Sequence, residues 1–98
     1  MVVAVERFDL RIPAARSLKQ KRHVVKGLTA ALRQTFAVSV AEVDHQDLWQ
    51  RATIAVAAVG PDQQQLRRVM QAVAKRVDAW AEVEVIDHDL QVWWPEDE

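Results

Sequence analysis

The sequence predicts an α+β fold of the ferredoxin-like class, in which two helices cover one face of a four-stranded antiparallel sheet. Four segments read as strands, two segments with helical periodicity separate them, and their order along the 98 residues is βαββαβ. Because βαβ connections are right-handed, both helices fall on one face and the strand order becomes 4-1-3-2. We expect one domain over residues 1–98, with residues 93–98 frayed.

Alternation of apolar and polar residues over Val2–Ile12 predicts the first strand. Its buried face ends in Phe8, Leu10 and Ile12. Pro13 has no backbone N–H to donate to a sheet, so the strand ends there.

A helix is predicted over Leu18–Thr35. Ser17 and Gln20 have the spacing of a capping box, in which side chains satisfy the free N–H groups of a helix start. Apolar residues then recur at helical spacing, at Leu18, Val25, Leu28, Ala31 and Leu32.

A hairpin is predicted next, from the two stretches Ala37–Val43 and Leu48–Val59. Both are rich in Val, Ala, Ile and Thr, and they flank the polar link Asp44-His45-Gln46-Asp47, which predicts a four-residue or bulged turn. In the second strand one face is expected in the core and the other outside it. The core face comprises Ala52, Ile54, Val56 and Ala58, and the other face comprises Trp49, Arg51 and Thr53.

The second helix follows Gly60-Pro61-Asp62, with Pro61 in its first turn or Asp62 as its cap. One apolar stripe predicts its buried face: Leu66, Val69, Met70, Val73, Val77 and Trp80. The last strand is expected over Glu82–Val92. Its apolar residues change parity between Val85 and Leu90, which predicts a bulge near Asp87.

The composition of the chain excludes several classes of function. No cysteine is present, which excludes disulfides, thiol catalysis and Cys-ligated zinc. The first residues mix apolar with charged side chains and resemble neither a signal peptide nor a membrane span. We therefore expect a cytoplasmic protein without a membrane partner.

Charge is unevenly distributed, although the net value is only −1. Between Leu10 and Ala41 there are seven basic residues and no acidic one, whereas Glu82–Glu98 holds seven acidic residues and no Lys or Arg. Such asymmetry bears on the choice of partners. The basic residues are Arg11, Arg16, Lys19, Lys21, Arg22, Lys26 and Arg33.

Three motifs carry a resemblance to a known family. They are Ala15-Arg16-Ser17-Leu18-Lys19-Gln20-Lys21-Arg22, Ser39-Val40-Ala41-Glu42-Val43 and Gln46-Asp47-Leu48-Trp49-Gln50-Arg51-Ala52. With them, the chain resembles the YlxP-like family, domain of unknown function 503, over about Val3 to Leu90. The resemblance implies a bacterial ferredoxin-like domain whose genes lie among translation and ribosome-maturation genes. It implies no catalytic residue and no cofactor, and it does not extend to Trp93 and Trp94.

The basic first helix is the leading candidate for a binding site. Lys and Arg side chains neutralise phosphates, and helix N-termini favour anions. The alternative is an ordinary solvated helix face. The residues expected to contact nucleic acid are Arg16, Lys19, Lys21, Arg22 and Lys26.

A second candidate is the sheet face opposite the helices, where Arg7, Arg11, Trp49 and Arg51 are expected to be neighbours. Some ferredoxin-like domains stack RNA bases on such a face. Here Thr53, Ala55 and Ala57 stand where further stacking rings would be needed. We therefore favour an interface with a second subunit, or Trp49 as a cap on the sheet edge. Four tryptophans in so short a chain also favour a homodimer.

Catalytic and metal sites are not expected. The acidic residues and histidines of residues 42–47 and 87–89 are nearly consecutive, so on strands they point apart and more often form turn hydrogen bonds. Ser17 and Ser39 are the only serines, and no glycine-rich phosphate loop occurs.

The sequence thus favours a non-enzymatic dimeric module that binds structured RNA or a ribosomal particle through its first helix and the loop before it. The alternative is a dimeric protein-interaction or ligand-sensing module without a nucleic-acid role. A third interpretation is a small enzyme that works between the subunits of a dimer.

Overall fold

The computed structural model describes residues 1–95, and its element order is the predicted βαββαβ. The predicted frayed end is only partly inside this range: Trp93 pairs with Val3 in the sheet, and residues 96–98 lie outside the described residues. The elements are β1 (Val2–Arg11), α1 (Leu18–Thr35), β2 (Ser39–Asp44), β3 (Arg51–Gly60), α2 (Gln63–Asp78) and β4 (Glu84–Trp93).

The four strands form one antiparallel sheet in the order β2-β3-β1-β4, which confirms the predicted topology. The central strands β1 and β3 pair along their whole lengths, from Val2 opposite Gly60 to Arg11 opposite Arg51. Both helices lie on one face of the sheet. Neither α1 nor α2 covers the opposite face, called the open face below.

The hydrophobic core lies between the helices and the sheet. Alternate residues of β1 are buried from Val2 to Leu10, as the strand period requires. The predicted core face of β3, Ala52, Ile54, Val56 and Ala58, is confirmed. The helices add the apolar residues Val24, Val25, Leu28, Leu32, Leu66, Met70, Val73 and Val77.

Helix caps also follow the prediction. The Ser17 hydroxyl accepts a hydrogen bond from the backbone N–H of Gln20 at 3.1 Å. In turn, the Gln20 side-chain oxygen accepts from the backbone N–H of Arg16 at 2.6 Å, one residue before the cap. At α2, the Asp62 carboxylate accepts from the N–H of Gln64 at 3.1 Å, so Asp62 is the cap.

The hairpin differs from the prediction at its turn. β3 begins at Arg51, so Leu48 and Trp49 precede the strand. His45 adopts a left-handed backbone with φ of 62°, and its carbonyl accepts from the N–H of Leu48 at 3.2 Å. Residues 45–50, called the β2–β3 turn below, therefore form a compact turn.

The predicted bulge in the last strand is present at Ile86. Asp87 pairs with Asp9 and Val85 pairs with Leu10, which leaves Ile86 without a partner on β1. One extra residue in a strand places each later side chain on the sheet face opposite to the one that simple alternation predicts. Val85 and Leu90 therefore both pack against the core despite their different parity.

Candidate nucleic-acid interface

Four exposed basic side chains form a line along α1: Lys19, Arg22, Lys26 and Arg33. Lys19, Lys26 and Arg33 follow one another at intervals of seven residues. Seven residues fall only about 20° short of two full helical turns, so the three side chains point in nearly the same direction. Arg22 falls on the same side, so all four lie within an arc of about 60° and span about 21 Å of helix axis. We call these four residues the α1 basic line.

The helix that carries the line contributes no opposing charge, although Glu82 lines the same hollow as Lys19. α1 contains no acidic residue. Arg33 uses one guanidinium nitrogen to donate to the backbone carbonyl of Val40 at 2.8 Å, which anchors the C-terminal end of the line to β2. The line therefore adds four positive charges to one side of a single helix.

Arg16 lies at the N-terminal end of this surface. It precedes the cap and is exposed, and its guanidinium donates to the carbonyls of Pro13 at 3.2 Å and Ala15 at 3.5 Å. The N-terminal end of a helix carries partial positive charge, so Arg16 extends the positive potential of the line.

Lys21 does not belong to the surface, which corrects the prediction that it contacts nucleic acid. Its side chain is 0% exposed. Its Nζ donates to Glu42 Oε2 at 2.7 Å, to the carbonyl of His45 at 2.9 Å and to that of Gln46 at 3.2 Å. Lys21 is on the buried side of α1 with Val25 and Leu28, and therefore serves as a structural link to β2 and the β2–β3 turn.

The second helix carries basic residues that the sequence analysis did not assign to a site. Arg67, Arg68, Lys75 and Arg76 are exposed on α2, although Arg76 lies over the ring of Trp80 at 5.8 Å. Their directions spread over about half of the helix circumference. In the sequence, these residues are indicated only by the number of basic residues in α2. The segment without acidic residues that contains them is shorter than the one that contains α1.

The open face does not gather the four residues that were predicted to share it. Arg11 and Arg51 are paired neighbours and Arg7 is on the same side of β1, but Trp49 lies in the turn. Arg7 is paired with Asp9 and with Asp87 at 3.3 Å, and Arg11 with Glu84 at 3.6 Å. Acidic partners therefore compensate the positive charge of these two arginines.

Asp9 is the centre of this charge network. Burial by itself would raise the pKa of its carboxyl group, but hydrogen bonds from Arg7 and Thr53, with the nearby charges of Arg7 and Arg51, lower it below the ordinary 3.8. Thr53 donates to Asp9 at 2.8 Å. The same contacts with Asp9 and Asp87 raise the pKa of Arg7.

Three acidic residues or histidines of the sheet and its turn have structural partners. Glu42 binds Lys21, the His45 ring contacts the Thr53 hydroxyl at 2.9 Å, and the His88 ring contacts buried Glu6 at 2.8 Å. Within residues 1–95, no three His, Asp or Glu side chains are grouped to hold a metal ion. No helix in this part of the chain is long and apolar enough to cross a membrane.

Comparison with known proteins gives a family and a fold. A family model described as "Protein of unknown function (DUF503)" matches residues 3–90. "Uncharacterized protein YlxP" of Bacillus subtilis (strain 168) is 37% identical over 70 residues, which cover 71% of this chain and 76% of that protein. Among solved structures, "De novo designed protein Foldit4" matches with a TM-score of 0.51 at 11% identity, over 96% of this chain and 98% of that chain. The last likeness concerns the fold alone.

Replacing Lys21 tests its structural role. Lys21→Met should lower the free energy of unfolding by about 3 kcal/mol, because the change leaves the Glu42 carboxylate and two backbone carbonyls without their donor. Urea denaturation followed by circular dichroism measures the loss. Lys19→Met, an exposed change on the same helix, should shift the value by less than about 0.5 kcal/mol. Equal stability of the two variants would contradict the role assigned to Lys21.

Acidification tests the Asp9 network. A carboxyl group whose pKa is lower in the folded state stabilises the fold above its unfolded pKa of about 3.9, and this contribution is lost as the pH falls through the folded pKa. Asp9→Asn should therefore be less stable than the wild type at pH 7, and the difference should shrink below about pH 4. Urea midpoints of both proteins over this range measure it. A difference that does not change with pH would contradict the lowered pKa.

Proposed function

We propose that this chain, which belongs to the DUF503 family, is a non-enzymatic module that binds RNA or a ribosomal particle through the α1 basic line. One observation carries the proposal: Lys19, Arg22, Lys26 and Arg33 lie exposed along one side of a helix without an acidic residue. Nucleic-acid backbones are long arrays of negative charge, and binding gains free energy from the counterions that are released.

The shape of the site supports a polymeric ligand over a small one. Small-molecule sites are concave and bury most of the ligand. Lys19 and Arg33 each border a separate hollow, but the α1 basic line as a whole follows the outer side of a helix over about 21 Å. Its charges are spread along this length and do not converge on one point, as suits the successive phosphates of a strand.

Electrostatic contrast within the molecule supports the choice of α1. On the open face, Arg7 and Arg11 are paired with acidic side chains. In the α1 basic line, by contrast, Arg33 donates to the neutral backbone carbonyl of Val40. A polyanion therefore meets less repulsion at α1 than at the open face.

A second candidate function is self-association through the open face, and one apolar area favours it. Val59 and Trp93 flank Val3 in the sheet register, and Ala57 flanks Val5. Val59 is 68% exposed and Trp93 41% exposed. We call these five residues the apolar patch. Burying them between two copies would give the homodimer expected for a protein-interaction module.

Charge reversal tests the RNA proposal. In Lys19→Glu/Arg22→Glu/Lys26→Glu, affinity for ribosomal RNA at moderate salt should fall at least about tenfold, because phosphate contacts are replaced by repulsion. The slope of log affinity against log salt should fall by about 2, at about 0.7 for each lost contact to a single strand. Fluorescence anisotropy of labelled RNA over a salt series measures both. Lys21 is left unchanged because it is buried.

Arg67→Glu/Arg68→Glu/Lys75→Glu is the matched control, since it changes the net charge equally on exposed residues of α2. Its loss should be smaller because these side chains do not form one line. Equal losses in both variants would mean that binding follows net charge, and the assignment to the α1 basic line would be wrong.

Sedimentation velocity tests self-association. The wild type should sediment increasingly as a dimer as the concentration rises, and Val59→Glu should remain monomeric because it would bury a carboxylate in the contact. Val43→Glu is the control, an equally large change at a half-exposed position of the edge strand outside the apolar patch. A monomeric wild type, or a dimer unaffected by Val59→Glu, would contradict self-association through this face.

A further inference from the structure

The β2–β3 turn exposes a tryptophan side chain on a backbone that hydrogen bonds hold in both halves of the turn. Trp49 is 53% exposed and Leu48 beside it is 47% exposed. Lys21 holds the first half of the turn through the carbonyls of His45 and Gln46. In the second half, the carbonyl of Gln50 accepts from the N–H of Ile12 at 2.9 Å. Exposed aromatic rings on an ordered backbone are typical of binding sites.

The turn is adjacent to the N-terminal end of the basic surface. The Gln50 side-chain amide donates to the carbonyls of Pro13 and Ala15, both at 3.1 Å. The Arg16 guanidinium donates to the same two carbonyls. Gln50, the residue after Trp49, therefore binds the same two carbonyls as Arg16. The segment that carries Trp49 is thus a neighbour of the segment that leads into the α1 basic line.

A shallow hollow at this turn has the chemistry of a base site. It is about 390 Å³ in volume and is lined by residues 47–51. These residues are Asp47, Leu48, Trp49, Gln50 and Arg51, so apolar residues are combined with an acidic, an amide and a basic residue. A carboxylate repels phosphate but accepts hydrogen bonds from the N–H groups of a base. The Nε–H of Arg51 is buried and has no hydrogen-bond partner among residues 1–95.

We infer that Trp49 stacks on an unpaired base of an RNA strand whose phosphates are held by Arg16 and the α1 basic line. The inference rests on the proposed function and specifies its substrate class. A base inside a duplex is stacked on both sides, so a protein ring reaches it only in a single strand, loop or bulge. The site therefore selects single-stranded or looped RNA over continuous duplex.

Binding of a fluorescein-labelled RNA strand, alone and annealed to its complement, tests this inference. The wild type should bind the single strand more tightly than the duplex. Trp49→Ala should lose between about 5-fold and about 150-fold in affinity for the single strand, the range for loss of one stacked base. Its salt dependence should stay that of the wild type, because the phosphate contacts remain. Trp49→Phe should keep most of the affinity, since phenylalanine also stacks.

Trp94→Ala is the matched control, because Trp94 is an exposed tryptophan that lies outside both the β2–β3 turn and the apolar patch. Its RNA affinity should equal that of the wild type. If Trp49→Ala binds the single strand as well as the wild type does, the stacking role is wrong, while a loss in the α1 charge reversal still upholds the proposed function. If the wild type binds neither RNA, both proposals are wrong. If Trp49→Ala changes only self-association, the turn is a protein contact and the stacking role is again wrong.

Discussion

The buried amine of Lys21 is the interaction on which the arrangement of the candidate site depends. An ammonium group has three N–H donors, and the three acceptors around Nζ are Glu42 and the carbonyls of His45 and Gln46. A buried charge without partners is costly, so displacing the turn would be opposed by the need to keep these bonds. One side chain of α1 thereby holds the edge strand β2 and the β2–β3 turn. The same link fixes the first half of the turn that carries Trp49 relative to α1.

The two faces of the molecule differ in charge and suit different partners. Of the 13 Lys and Arg residues, five lie in α1 and four in α2, and Asp78 is the only acidic residue of either helix. The open face pairs its arginines with carboxylates and adds the apolar patch. The apolar patch lies at the Gly60 end of β3 and the β2–β3 turn precedes its Arg51 end, so RNA binding through α1 and the turn would not compete with self-association. A dimer formed in this way would present two basic lines, which would strengthen binding to a long RNA.

The sequence by itself determined the elements and their buried faces. The alternation of β1, the Ser17 and Asp62 caps and the apolar stripe of α2 all match the structure, because each depends on residues within a few positions of one another. The bulge at Ile86 could also be anticipated, since a change of parity inside one strand must be absorbed there. The family resemblance is equally a property of the sequence, and the family match over residues 3–90 confirms it.

Tertiary structure alone decided which of the charged and aromatic side chains are available at the surface. Lys21 looked like its basic neighbours, but its partners lie 21 to 25 residues further along the chain. The sequence predicts Trp49 on a strand, but contacts of Gln50 with residues 35 and 37 positions earlier hold it in a turn beside Arg16. Arg7 is paired with Asp87 across 80 residues. Such pairings depend on how distant segments pack, and local periodicity carries no information about them.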